Sequence, residues 1–244
     1  MEVQKIVIDT DISLGQFGCD VDDAFAVILA LNSPELRVEL ITTTYGNTTL
    51  ENATKILDEL LGVYRISNSK SKEKGFSRDL MDPTNLINRT NSILKTPPFL
   101  RGSPIPIHKF PSHFRNYFIN RIQSYPQFRG KNILNTRPFE AELGDNTQKR
   151  FQSERLTLKI RNGTLFPAIK RMADLILEYP HLITLVPIGP LTNVTLLLTA
   201  FPEVIPLIKE LSIMGGAIYN QNAYEFNFAN DPIATNIILY SPLK

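Results

Sequence analysis

The chain has 244 residues, 43% apolar and 20% charged, which suits a single α/β domain with a large core. A net charge of +2 lacks the clustered excess base of a nucleic-acid footprint, so nucleic acid is not expected as a partner. The one cysteine, Cys19, excludes an internal disulfide framework, and no apolar run reaches the length of a membrane span.

The N-terminus enters a strand-like run without a signal-like apolar region, so cytoplasmic residence is the expectation. Ile6, Val7 and Ile8 read as a buried strand that ends in Asp9-Thr10-Asp11. A loop with Gly15 and Gly18 follows, then Asp20, Asp22 and Asp23. Five carboxylates within fifteen residues, at the carboxyl end of a strand, repel one another unless a hard cation sits among them. Asp22 and Asp23 open a helix and by themselves suit a first turn. Capping does not account for Asp9 and Asp11.

Asp22 to Asn32 reads as that helix, stopped at Ser33-Pro34. Leu36 to Tyr45 is a second strand ending in Gly46-Asn47, and Leu50 to Tyr64 an amphipathic helix. Strand, helix, strand, helix at this spacing implies a parallel sheet. The Lys- and Ser-rich stretch from Ser67 to Arg78 reads as a surface loop, and Asp82 to Arg161 has poor periodicity and many prolines. Residues 67–161 therefore read as an irregular insertion. Its aromatics alternate with arginines at Phe114-Arg115 and Phe128-Arg129, a pattern better suited to a packed segment with a solvated face than to base stacking. Order returns with a helix from Ala168 to Glu178, a strand from Leu182 to Pro187 and a helix from Asn193 to Ala200. A strand from Ile208 to Met214 ends in Gly215-Gly216, and Asp231-Pro232 starts a last helix through Leu239. The expected architecture is one domain over residues 1–244: a mostly parallel open α/β sheet with helices on both faces. Ligands bind such sheets at the carboxyl ends of the strands.

Four segments, in order, resemble the inosine-uridine-preferring nucleoside hydrolase family. DTD…DVDDAFAV is similar to that family's DTDxGxDDAxA signature, with the longer loop ISLGQFGCDV between its halves. TTTYGNTTLENATK, VPIGPLTNVTL and IMGGA…EFNFANDPIAT resemble its TTxxGN, GPLTN and MGG…AEFNxxxDPEAA segments. The resemblance covers residues 3–64 and 168–240. It implies hydrolysis of the N-glycosidic bond of ribonucleosides, a Ca2+ cofactor and a small-molecule nucleoside as partner, with a homo-oligomer allowed. By the same resemblance Asp11 binds calcium and activates water, Asp23 is a calcium carboxylate, and Ile188 offers its main-chain carbonyl to the metal. Asp22, Asn47, Met214, Glu225 and Asn227 match substrate-binding positions, Asp9 a supporting one, and Asn220 or Asn222 a further ribose contact.

The family supplies another calcium-binding Asp, and often a leaving-group His, from beyond the DPIAT helix. The chain is accordingly expected to be incomplete at its C-terminus and a poor catalyst by itself. Arg129-Gly130 stands where a His-Gly segment would, and none of His108, His113 and His181 is a placed substitute. Two other readings remain at this stage. One is a non-catalytic relative that binds ribosides or a partner. The other is a DxD-type magnesium phosphotransferase resembling haloacid dehalogenases, with Asp9 as nucleophile and Asp11 as acid/base.

Overall fold

The computed structural model describes residues 3–15, 19–73, 96–110, 147–217 and 224–243. Five parallel strands form one sheet in the order β3-β2-β1-β4-β5. They are β1 (Gln4–Thr10), β2 (Leu36–Thr43), β3 (Phe99–Arg101), β4 (Ile183–Pro187) and β5 (Glu210–Leu211). β1 lies in the middle, in register with β2 from Gln4↔Leu36 to Thr10↔Thr43 and with β4 from Lys5↔Ile183 to Asp9↔Pro187. The chain winds outward from β1 in one direction through β2 and β3 and in the other through β4 and β5. The β1/β4 boundary is thus the switch point where open parallel sheets hold ligands.

Helices cover both faces, as expected. Ile6 and Ile8 of β1 pack with α1 (Asp22–Asn32) and α2 (Leu50–Glu73) through Val27, Leu57 and Leu61. Val7 faces the other layer, a larger cluster built from α3 (Thr147–Arg161), α4 (Pro167–Glu178), α5 (Thr192–Ala200) and α7 (Pro232–Leu239). Every residue of α5 is buried, so this short helix runs through the core rather than along the surface. A one-turn helix α6 (Phe226–Asn230) precedes α7. Among the described residues no helix is long and apolar enough to cross a membrane.

The irregular stretch expected over 67–161 is corrected in three places. Helix α2 continues past Tyr64 to Glu73. Apolar periodicity reports a packed face, and a polar run with good helix formers such as Lys and Glu extends a helix without it. Residues 99–101 form β3, paired with Ile41 to Thr43, directly after Pro97-Pro98. Residues 147–161 form α3, whose buried stripe is Ser153, Thr157 and Ile160 at i, i+4 and i+7. Two of those three are hydroxyl residues, so an apolar template passes over them; Thr157 returns its hydroxyl to the Ser153 carbonyl at 3.0 Å. A fourth difference is β5, shorter than the expected Ile208–Met214. The wider segment still runs beside β4, with Lys209, Ser212 and Met214 N–H groups donating to the carbonyls of Ile183, Leu185 and Pro187.

Candidate active site

Side chains alternate between the two faces of a strand, and β1 uses the alternation to split its acidic end. Thr10 follows Ile6 and Ile8 toward α1, where its Oγ1 donates to Asp23 Oδ2 at 2.5 Å and accepts the Ile12 N–H at 3.0 Å. Strand end and helix start are thereby clasped. Asp23 is buried, whereas Asp22 beside it is exposed. Val21, not an acid, occupies the helix N-cap, so the Asp23 carboxyl serves the cluster rather than the helix end.

Asp9 follows Val7 to the opposite face. Its Oδ1 accepts from Thr42 Oγ1 at 2.6 Å and from Asn193 Nδ2 at 2.8 Å. Asp11 is wholly buried; its Oδ2 accepts the Asn47 N–H at 2.7 Å, and its carboxyl lies against that of Asp23 within hydrogen-bonding reach. Asp9 Oδ2, Asp11 Oδ1 and the Ser13 hydroxyl are buried and meet no N–H or O–H donor or acceptor among the described residues. Burial drives all three carboxyls up: Asp9 to about 7, Asp11 to about 6 and Asp23 to about 8. The Asp11 charge adds to burial at Asp23, while the Asn47 N–H moderates the rise at Asp11.

Two loops reach this cluster without side chains. A Cβ on Gly46 would lie 1.9 Å from Asp11 Oδ2, and one on Gly189 would lie 2.8 Å from Asp11 Oδ1. Gly46→Ala should therefore destabilise the fold by about 1–3 kcal/mol, the range for overpacking a filled interior. Urea unfolding checks it; an unchanged midpoint would mean that Asp11 is not held by the loop after β2.

The other wall comes from β4 and α6. The Ile188 N–H donates to the Asp9 carbonyl at 2.8 Å, and the Ile188 carbonyl accepts from Asn227 Nδ2 at 2.9 Å. The same amide reaches Met214 Sδ at 3.2 Å and the Met214 carbonyl at 3.4 Å. Ile188, Met214 and Asn227 thus meet. Glu225 stands beside them but spends its carboxylate on the N–H groups of Asn227 and Phe228, as the N-cap of α6. Asn47 meets Asp11 through its backbone, and its carbonyl accepts from the Cys19 thiol at 3.1 Å.

Asn220, Asn222, His113, Arg129 and Gly130 lie outside the described residues, as does the His108 side chain. His181 is exposed ahead of β4, at the opposite end of the sheet from Asp9. Sequence reasoning missed Thr10, Thr42 and Asn193 as partners of the carboxylates. Asn193 carried a signal: it is a polar residue in a helix otherwise apolar enough to be buried throughout.

These features define an open parallel α/β protein with a buried carboxylate cluster at its switch point, the place where such sheets hold ligands. The family model described as inosine-uridine preferring nucleoside hydrolase matches residues 6–244, and the chain belongs to that family. It is 27% identical over 243 residues to the non-specific ribonucleoside hydrolase RihC of Klebsiella pneumoniae (strain 342), covering 98% of this chain and 59% of the relative. A RihC of Escherichia coli O127:H6 is 27% identical over 227 residues, covering 92% of this chain and 56% of that one. The chain therefore spans little more than half the length of these relatives. Among solved structures, an inosine-guanosine nucleoside hydrolase superposes with a TM-score of 0.54 at 20% identity, over 98% of this chain and 58% of that one. A plant nucleoside hydrolase gives 0.53 at 23% identity, over 96% and 56%. These likenesses support the α/β nucleoside hydrolase fold.

Proposed function

We propose that the protein hydrolyses the N-glycosidic bond of ribonucleosides, releasing base and ribose, with Asp11 taking the proton of the attacking water. The observation that carries this reading is the buried Asp11–Asp23 pair, with Asp11 Oδ1 left bare at the sheet's switch point. Calcium suits the donor set, which is all oxygen: carboxylates of Asp11 and Asp23 and the main-chain carbonyl of Ile188. Among the described residues no three His, Cys, Asp or Glu side chains form a ready cage, so main-chain and water oxygens would complete the coordination. When bound, calcium supplies a water of lowered pKa.

The chain's own residues do the rest. Asp11 accepts the water's proton, fixed in place by the Asn47 N–H. In this reading Asp22, exposed beside the buried Asp23, holds ribose hydroxyls, and Asn47, Met214, Glu225 and Asn227 are the other substrate contacts. Carboxylates around a ribose favour the positive charge that develops as the glycosidic bond breaks. The phosphotransferase reading fits less well, because the nucleoside hydrolase family model matches residues 6–244.

The test is ribose release from inosine and uridine, with calcium and with a chelator, using the full chain. Calcium-dependent release is expected, at the low rate anticipated for these 244 residues by themselves. Nucleoside binding with no release would favour the non-catalytic reading, and calcium-independent release would overturn the cofactor assignment.

A further inference from the structure

Asn193 is wholly buried, yet each polar atom of its side chain is used. Its Nδ2 donates to Asp9 Oδ1 at 2.8 Å and to the Thr43 carbonyl at 3.2 Å, and its Oδ1 accepts the Ser103 N–H at 2.8 Å. One amide on α5 thus joins the carboxyl ends of β1 and β2 to the loop after β3. The partners fix its orientation: only Oδ1 can receive the Ser103 N–H, and only Nδ2 can serve a carbonyl and a carboxylate. Gly102 makes room for it, since a Cβ there would lie 2.2 Å from Asn193 Nδ2.

The bonding at Asp9 is lopsided. Thr42 and Asn193 both donate to Oδ1, and Oδ2 is buried without a donor among the described residues. A carboxylate kept only for structure would have both oxygens satisfied, because a bare buried acceptor is costly. We infer that Asn193, with Thr42, is a positioning residue: it saturates Oδ1 of Asp9 so that Oδ2 stays free to accept an O–H hydrogen of the group bound in the site. This rests on the hydrolase reading above. The donor is a cation-held water or a ribose hydroxyl.

A double-mutant cycle tests it, with Asn193→Ala, Asp9→Asn and the pair in the full chain. Calcium affinity by calorimetry reads the water, KM and kcat for ribose release read the sugar, and urea unfolding reads stability separately. Asn193→Ala should weaken calcium binding or kcat/KM by about 10–100-fold, the usual loss for a residue supporting a metal or catalytic ligand. Added to Asp9→Asn it should cost nothing further. Thr42→Ser should keep native values and Thr42→Val lose part of them. Gly102→Ala displaces the amide sterically without altering its chemistry, so it should copy Asn193→Ala and serves if that variant does not fold. Additive losses in the double variant, or a loss of stability with binding and turnover unchanged, would overturn the inference. If the native chain releases no ribose, the hydrolase reading alone fails and calcium affinity still scores the cycle. If it binds no calcium either, crystals of Asn193→Ala decide: a rotated Asp9 carboxylate supports the inference and an unmoved one refutes it.

Discussion

Asp11→Asn should lower kcat for ribose release by about 10²–10⁴-fold, the range lost with a general base, while leaving the chain at least as stable as before. The two effects have one cause. Asp11 is buried beside Asp23 with one oxygen unpartnered, an arrangement that raises the free energy of the folded chain. An amide keeps the acceptor that meets the Asn47 N–H and offers Asp23 a donor in place of a second charge. Initial rates with inosine and urea unfolding of the same preparations measure both. Ordinary turnover in the purified variant would remove Asp11 from the role of base. Reduced stability with reduced turnover would mean that the carboxylate is needed for folding rather than for chemistry.

Calcium should raise the Tm of the chain strongly at pH 8 and far less at pH 5. Burial holds Asp9, Asp11 and Asp23 above the ordinary carboxylate value of about 3.9, at about 7, 6 and 8. The folded chain therefore binds more protons than the unfolded one between about pH 4 and pH 8. Stability from these groups is fully present below the unfolded value and is lost as pH rises through the folded ones. The slope is about 1.4 kcal/mol per pH unit for each proton held. A cation takes the place of those protons, so its stabilising effect grows where they are leaving. Thermal melts with calcium or chelator at the two pH values check this. A larger calcium shift at pH 5 would show that the cation binds elsewhere.

The sheet was readable because β1, β2 and β4 are apolar runs broken by acids, glycine or proline, and the helices between them have one greasy face. The acids of the site were readable for a related reason: Asp9 and Asp11 cannot be explained at the end of a buried strand by folding alone. What could not be read is the hydrogen bonding that makes a cluster of them. Thr10 and Thr42 look like ordinary strand residues, since a threonine fits a pleated surface whether or not its hydroxyl is used. Glu225 shows the converse. Its place in a motif suggested a ligand contact, and the structure adds a second task that the motif did not show, the capping of α6. Helix α3 escaped because its inner face is partly serine and threonine.

The bond between Thr10 and Asp23 has a bearing on how this chain can vary. It ties the last residue of β1 to the first turn of α1 directly, so the two key carboxylates are spaced by the packing of strand and helix and not by the ten residues between Asp11 and Asp22. Among the described residues of that connection Ile12 and Ser13 are interior and Cys19 is half-buried, while Leu14, Gly15, Asp20 and Val21 face outward. Residues can be gained or lost there while the centre is inherited unaltered. The same freedom makes the exposed Leu14-Gly15 step a place to graft a tag or a recognition peptide.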